Sequence, residues 1–193
     1  MHQVMGVDAP VSVTASGGRF ELRDGAETPD VLQVTYEYPG FILSYECCMV
    51  NAHGTGGRTP GKAYYRARGA DDRPHGEAFY GTDGTLFSDR LGYEVFPEPA
   101  APGRTGGTPV PPRTARDATD RHVQNFIECV RSRQKPAADV ETGHRATVAA
   151  HLGNIAYRTG RKLRWVAARE EIIDDPAASA LLGRAARKPW DLI

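Results

Sequence analysis

Alternation with a period of two dominates the first fifty residues. Val11, Val13 and Ala15 interleave with Ser12, Thr14 and Ser16, and Leu32, Val34, Tyr36 and Tyr38 interleave with Gln33, Thr35 and Glu37. Successive side chains of a strand leave on opposite faces, so each run predicts a strand with one buried face. Pro39-Gly40 supplies turn geometry after the second run, and residues 41–50 return to aromatic and β-branched types, which predicts an antiparallel hairpin. The device recurs where Asp83-Gly84 separates Ala78-Phe79-Tyr80 from Thr85-Leu86-Phe87, and Tyr93-Glu94-Val95-Phe96 offers another strand. An antiparallel sheet of about five or six strands is expected.

Two stretches break the pattern. Asn51-Ala52-His53-Gly54-Thr55-Gly56-Gly57-Arg58 opens a polar segment without a sustained period that runs to Pro74, a loop long enough to be weighed for function. Residues 97–118 hold six prolines and three glycines and read as an irregular linker. Beyond the linker the period changes. Val123, Phe126, Ile127 and Val130 fall at i, i+3, i+4 and i+7, one stripe of a helix over about 120–133. A second helix takes Asp139 as its N-cap, carries Val148, Leu152 and Ile155 on one face, and ends at Gly160 after Arg158. Residues 162–166 read as a short edge strand and 176–183 as a short helix before a basic tail. Strands first and helices afterwards predict an α+β fold: a largely antiparallel open sheet with helices packed on one face, in a single domain over residues 1–193.

Composition narrows the functional classes. Lysine plus arginine equal aspartate plus glutamate at 24 each, so no global field draws the chain to nucleic acid or to an anionic membrane. No run approaches the ~20 apolar residues of a membrane span, and the N-terminus has no basic, signal-like segment. A soluble, cytoplasmic protein is expected. Cys47 and Cys48 are adjacent in an extended run and point to opposite faces, while Cys129 sits in a helical pattern, which argues against a disulfide framework. Neither C-x-x-C nor H-E-x-x-H spacing occurs, so no metal is expected.

Three runs carry a family resemblance: Asn125-Phe126-Ile127-Glu128-Cys129-Val130-Arg131-Ser132-Arg133, Asp139-Val140-Glu141-Thr142-Gly143-His144-Arg145, and His151-Leu152-Gly153-Asn154-Ile155-Ala156-Tyr157-Arg158-Thr159-Gly160-Arg161-Lys162-Leu163. Together with Gly6-Val7-Asp8-Ala9-Pro10, Tyr80-Gly81-Thr82-Asp83-Gly84-Thr85-Leu86 and Lys188-Pro189-Trp190-Asp191-Leu192, they resemble the C-terminal domain of the Gfo/Idh/MocA oxidoreductases, in their bacterial branch. The resemblance implies a Rossmann domain holding NAD or NADP, and a C-terminal sheet domain that shapes the substrate pocket and mediates oligomerisation. Only the second is matched. No G-x-G-x-x-G occurs, and the family's lysine in an E-K-P motif and its histidine and aspartate on the segment entering the sheet domain have no counterpart; His2 matches a neighbouring position. The chain by itself is therefore expected to bind no cofactor. It would be a fragment of a longer reading frame, the product of a mis-assigned start, or a stand-alone remnant.

Within that resemblance the chain is expected to be the substrate-binding and oligomerisation part of an enzyme acting on a sugar or cyclitol hydroxyl. The alternative is a non-catalytic binding or oligomerisation module that kept the fold and lost the site. Asn51 and His53 offer a polar pair at a strand end, where a sugar-like molecule could exchange hydrogen bonds; turn chemistry explains the same residues. His144 and Arg145 open the second helix, whose N-terminus attracts anions, against the plainer reading of a solvated first turn or a contact with a neighbouring segment. Tyr36, Tyr38 and Tyr45 read as core or interface aromatics. Residues 41–50 place apolar side chains in both alternation sets, which predicts a self-complementary dimer or higher oligomer through the open sheet face.

Overall fold

The computed structural model describes residues 1–50, 76–89, 92–114, 119–184 and 186–189. The chain divides into two compact units, Met1–Val50 with Ala138–Ile193, and Asn51–Ala137.

In the first unit a single turn, α1 (His2–Met5), leads into β1 (Ser12–Gly18), β2 (Val31–Tyr38) and β3 (Phe41–Cys48). β2 and β3 form the expected hairpin: Tyr38 faces Phe41 across the turn, and Gly40 takes φ 89°, a conformation that costs a glycine little. Register sorts the side chains. Val13 lies opposite Tyr36, Ala15 opposite Val34, and Val34 opposite Tyr45, so these residues share the inner face with Tyr38 and Leu43. Ser12, Thr14 and Ser16 of β1, Gln33, Thr35 and Glu37 of β2, and Ser44 and Glu46 of β3 share the outer face.

The second unit contains β4 (Glu77–Tyr80), β5 (Gly84–Asp89), β6 (Gly92–Pro97), β7 (Arg113–Thr114) and the helix α2 (Thr119–Ser132). Returning to the first unit, the chain forms α3 (Val140–Thr159), β8 (Leu163–Val166), β9 (Glu171–Ile173) and α4 (Pro176–Ser179), the last shorter than the 176–183 helix expected. The strands expected in one antiparallel sheet are distributed over two, ordered β3-β2-β1-β8-β9 and β4-β5-β6-β7. Residues 162–166 are a corrected expectation. β8 is no edge strand but lies between β1 and β9, with Val13 opposite Leu163 and Trp165 opposite Ile172. Sequence neighbours could not show this, because β8's partner β1 is about 150 positions away.

The core lies between the inner sheet face and α3, where Val13, Val34, Tyr36, Tyr38, Leu163, Trp165 and Ile172 meet Leu152, Ile155 and Ala156. α3 reaches the sheet closely at Gly153, where an added Cβ would sit 2.6 Å from the Tyr36 hydroxyl and 3.3 Å from Val34 Cγ1. Both ends of α3 are capped as the sequence predicts. The Asp139 carboxylate accepts the Glu141 and Thr142 amides at 3.1 and 3.3 Å, and Gly160 at φ 64° returns its amide to Ala156 O.

One further expectation changes. The stripe on α2 does not face a core: Val123, Phe126, Ile127 and Val130 are all about half exposed, and α2 buries none of its residues. The proline-rich stretch has no regular structure over 98–112 apart from the Ala101–Arg104 bridge, and hydrogen bonds hold it within the second unit. The Glu98 amide donates to Asp83 O at 2.9 Å, the Arg104 guanidinium reaches Thr82 O at 3.0 Å and Pro99 O at 3.2 Å, and Arg113–Thr114 pairs with β6. Prolines removed amide donors from this stretch, and an arginine and the remaining amides supply the anchoring bonds.

Candidate functional site

Of the four residues singled out for a ligand, His144 and Arg145 lie among the described residues. Asn51 and His53 lie outside the described residues. His144 and Arg145 are adjacent on α3 but engage different partners. His144 Nε2 lies 2.6 Å from Glu170 Oε1, on the turn between β8 and β9, where Glu170 holds φ 52°. The Arg145 guanidinium pairs with Glu141 at 2.7 Å and with Asp8 just before β1. Both side chains are exposed, and each ties α3 to a neighbouring segment.

His2 is also engaged. Its Nε2 shares a hydrogen bond of 2.7 Å with the Tyr38 hydroxyl, and burial, followed by the adjacent terminal ammonium, holds its pKa below the ordinary histidine value. The Tyr38 ring stacks on Phe41 with centroids 4.7 Å apart, and burial pushes its phenol upward; Tyr36, next along the inner face, is pushed up to about 12. Tyr36 and Tyr38 therefore stay neutral and fill the core. Asp30 is buried and its carboxylate accepts the amides of Leu22, Phe20 and Glu21, which hold its pKa down to about 2 and close the 19–30 loop.

What the fold does assemble is a cleft of about 790 Å³ along one flank of α3. His144, Val148, His151, Ile155 and Arg158 face it at helical spacing, and 1.5 Å per residue makes it about 20 Å long from His144 to Arg158. Glu27, Thr28 and Pro29 of the β1–β2 loop, and Leu181 to Arg184 after α4, complete its walls. Trp165 rises into its floor from β8, only 7 % exposed. The enclosed indole N–H of Trp165 has no acceptor among the described residues. Sequence reasoning reached His144 alone of these residues. His151 and Arg158 share its helical flank, a signal visible at i, i+7 and i+14; Glu27, Trp165 and Arg184 converge only through the tertiary fold. Among the described residues no group of three or more His, Cys, Asp or Glu side chains could hold a metal ion, and no helix is long and apolar enough to cross a membrane.

Residues 114–192 match the Gfo/Idh/MocA family model described as an oxidoreductase family, C-terminal alpha/beta domain. No curated protein matches the sequence. Among solved structures, the fold is similar to that of the proposed oxidoreductase yvaA from Bacillus subtilis, with TM-score 0.56 and 13% identity over 86% of this chain and 49% of that one. It is also similar to a proposed oxidoreductase from Klebsiella pneumoniae, with TM-score 0.52 and 13% identity over 94% of this chain and 48% of that one. The chain spans about half the length of each of these structures.

Proposed function

From residues 114–192 as the C-terminal domain of the Gfo/Idh/MocA oxidoreductases, we propose that the chain is the substrate-side part of an NAD- or NADP-dependent enzyme that oxidises a hydroxyl of a sugar or cyclitol. The family match carries this reading, and the likeness of fold to half of two longer structures supports it. The hydride chemistry belongs to the nicotinamide, and a domain of this kind contributes position: it holds the alcohol in a geometry the cofactor can attack and keeps water away. His144, which lines the cleft, is the proposed contact to the substrate from this domain.

The nucleotide itself does not fit the described part of the chain. A dinucleotide cradle needs parallel strands joined through a helix whose N-terminus meets the pyrophosphate. Every pairing between the described strands is antiparallel, and no described helix directly joins two strands of one parallel layer. The reading therefore assigns the cofactor to a separate nucleotide-binding domain. Calorimetric titration of the isolated chain with NAD and with NADP tests this, and micromolar binding of either refutes it. The chain joined to a nucleotide-binding domain is expected to reduce the cofactor when given sugars or cyclitols; no turnover across such a panel counts against the reaction.

Self-association belongs to the same reading. The outer sheet face is the surface proposed for it, with Ile42 of β3, 69 % exposed, as its most prominent apolar side chain.

A further inference from the structure

Acidic neighbours neutralise several of the basic side chains in the first unit. Arg19 pairs with Asp24, Arg161 with Asp175, Lys162 with Glu37, Arg164 with Asp174 and Arg169 with Glu171. Arg158 and Arg184, which line the cleft, have neither an ion pair nor a hydrogen bond among the described residues. Of the two acidic residues on the cleft, Glu170 is hydrogen-bonded to His144 at 2.6 Å, and neither it nor Glu27 pairs with the two guanidiniums among the described residues. The rim therefore offers two guanidiniums without a protein partner among the described residues.

The floor has the opposite character. Leu152, Ile155 and Trp165 are buried beneath the rim, and Leu181 and Leu182 leave apolar surface in the wall. A small hydrated ion gains nothing from that surface and would lose hydration on entering it, whereas a purely apolar molecule leaves the arginines unanswered. We propose that the cleft binds a small amphipathic organic anion, with an apolar body against Leu181 and Leu182 and a carboxylate or phosphate held by Arg158 and Arg184. Guanidinium forks suit either head group, and about 790 Å³ falls within the ordinary range of small-molecule pockets, roughly 300 to 1,000 Å³. The proposal goes beyond the oxidoreductase reading: it concerns what occupies the cleft, with no cofactor present and whichever alcohol is oxidised.

The probes are octanoate, 1-octanol and inorganic phosphate, titrated without nucleotide into the full chain. Trp190→Phe leaves Trp165 as the fluorescent reporter. Octanoate is expected to saturate a single site and shift the Trp165 emission, with 1-octanol and phosphate at least about tenfold weaker, one charge-assisted contact's worth of affinity. Exchanging both arginines, Arg158→Gln with Arg184→Gln, should bring octanoate down to the level of 1-octanol and leave 1-octanol unchanged. Arg158→Lys with Arg184→Lys should keep most of the preference for the anion. Both side chains are exposed, and circular dichroism checks that the variants stay folded. Equal binding of octanoate and 1-octanol, phosphate binding as well as octanoate, octanoate affinity unmoved by the glutamine pair, or no saturable binding would each overturn the proposal. None of these outcomes bears on the nucleotide titrations.

Discussion

Replacing Gly153 by alanine sets two effects against each other at one atom. Gly153 lies inside α3, and alanine in a helix interior is worth about 1 kcal/mol over glycine because it restricts the unfolded chain and suits the helix. The new methyl, however, would sit 2.6 Å from the Tyr36 hydroxyl and 3.3 to 3.4 Å from the two Val34 methyls. Tyr36 and Val34 are both buried on the inner sheet face, so the ring cannot withdraw without disturbing the strands beside it. Overpacking of this kind costs about 1 to 3 kcal/mol, which exceeds the helix gain, and Gly153→Ala is expected to destabilise the chain by about 1 kcal/mol. The sign should reverse once the obstructing oxygen is gone. In a Tyr36→Phe background the 2.6 Å contact is gone, the Val34 methyls are tight but short of a clash, and the alanine should stabilise by up to about 1 kcal/mol. Urea unfolding of the four proteins, followed by Trp165 fluorescence with Trp190→Phe throughout, completes the double-mutant cycle. Equal effects of the alanine in both backgrounds, or a gain in the wild-type background, would refute the close-approach argument.

Asp30 makes a pH prediction. Its folded pKa of about 2 lies below the ordinary carboxylate value near 4, so its contribution to stability is complete above about pH 4 and is lost as the pH falls towards 2. Asp30→Asn should flatten that part of the acid profile and speed amide exchange at residues 20–22; an unchanged profile would show that the three amides do not depend on the carboxylate. Ile42→Asp on the outer sheet face should dissociate any self-assembled form in sedimentation without lowering the unfolding midpoint of the monomer, and an unchanged sedimentation profile would remove that face from the proposed interface.

Features governed by a few neighbouring residues were legible in the sequence. The β2–β3 hairpin follows from alternation on either side of Pro39-Gly40, and α3 follows from the Asp139 and Gly160 caps with Val148, Leu152 and Ile155 between them. Gly153 is explained only by the fold, since nothing local in a helix requires a glycine there; the requirement comes from Tyr36, more than a hundred residues away. Strand order was likewise beyond a local reading. β8 carries the apolar pattern of a short strand whether it lies at an edge or between β1 and β9, and only long-range pairing decides.

The outer face shows the limit in another way. Residues 41–50 taken alone suggest apolar side chains on both sides of the sheet. Register puts Tyr45 with Val34 on the helix side and sets Ile42 beside Glu37 in a surface otherwise rich in serine, threonine, glutamine and glutamate. Periodicity gave α2 an apolar stripe, yet periodicity describes only the helix and not what covers it, and the stripe is exposed. The cleft is the same case at the scale of a site. Helical spacing put His144, His151 and Arg158 on one flank of α3, while Glu27, Trp165 and Arg184 reached it from three other parts of the chain. Local energetics select turns, caps and faces because the groups involved are neighbours in sequence. Which faces meet, and which charges are left unpaired where they meet, depends on contacts between distant residues that exist only once the chain has folded.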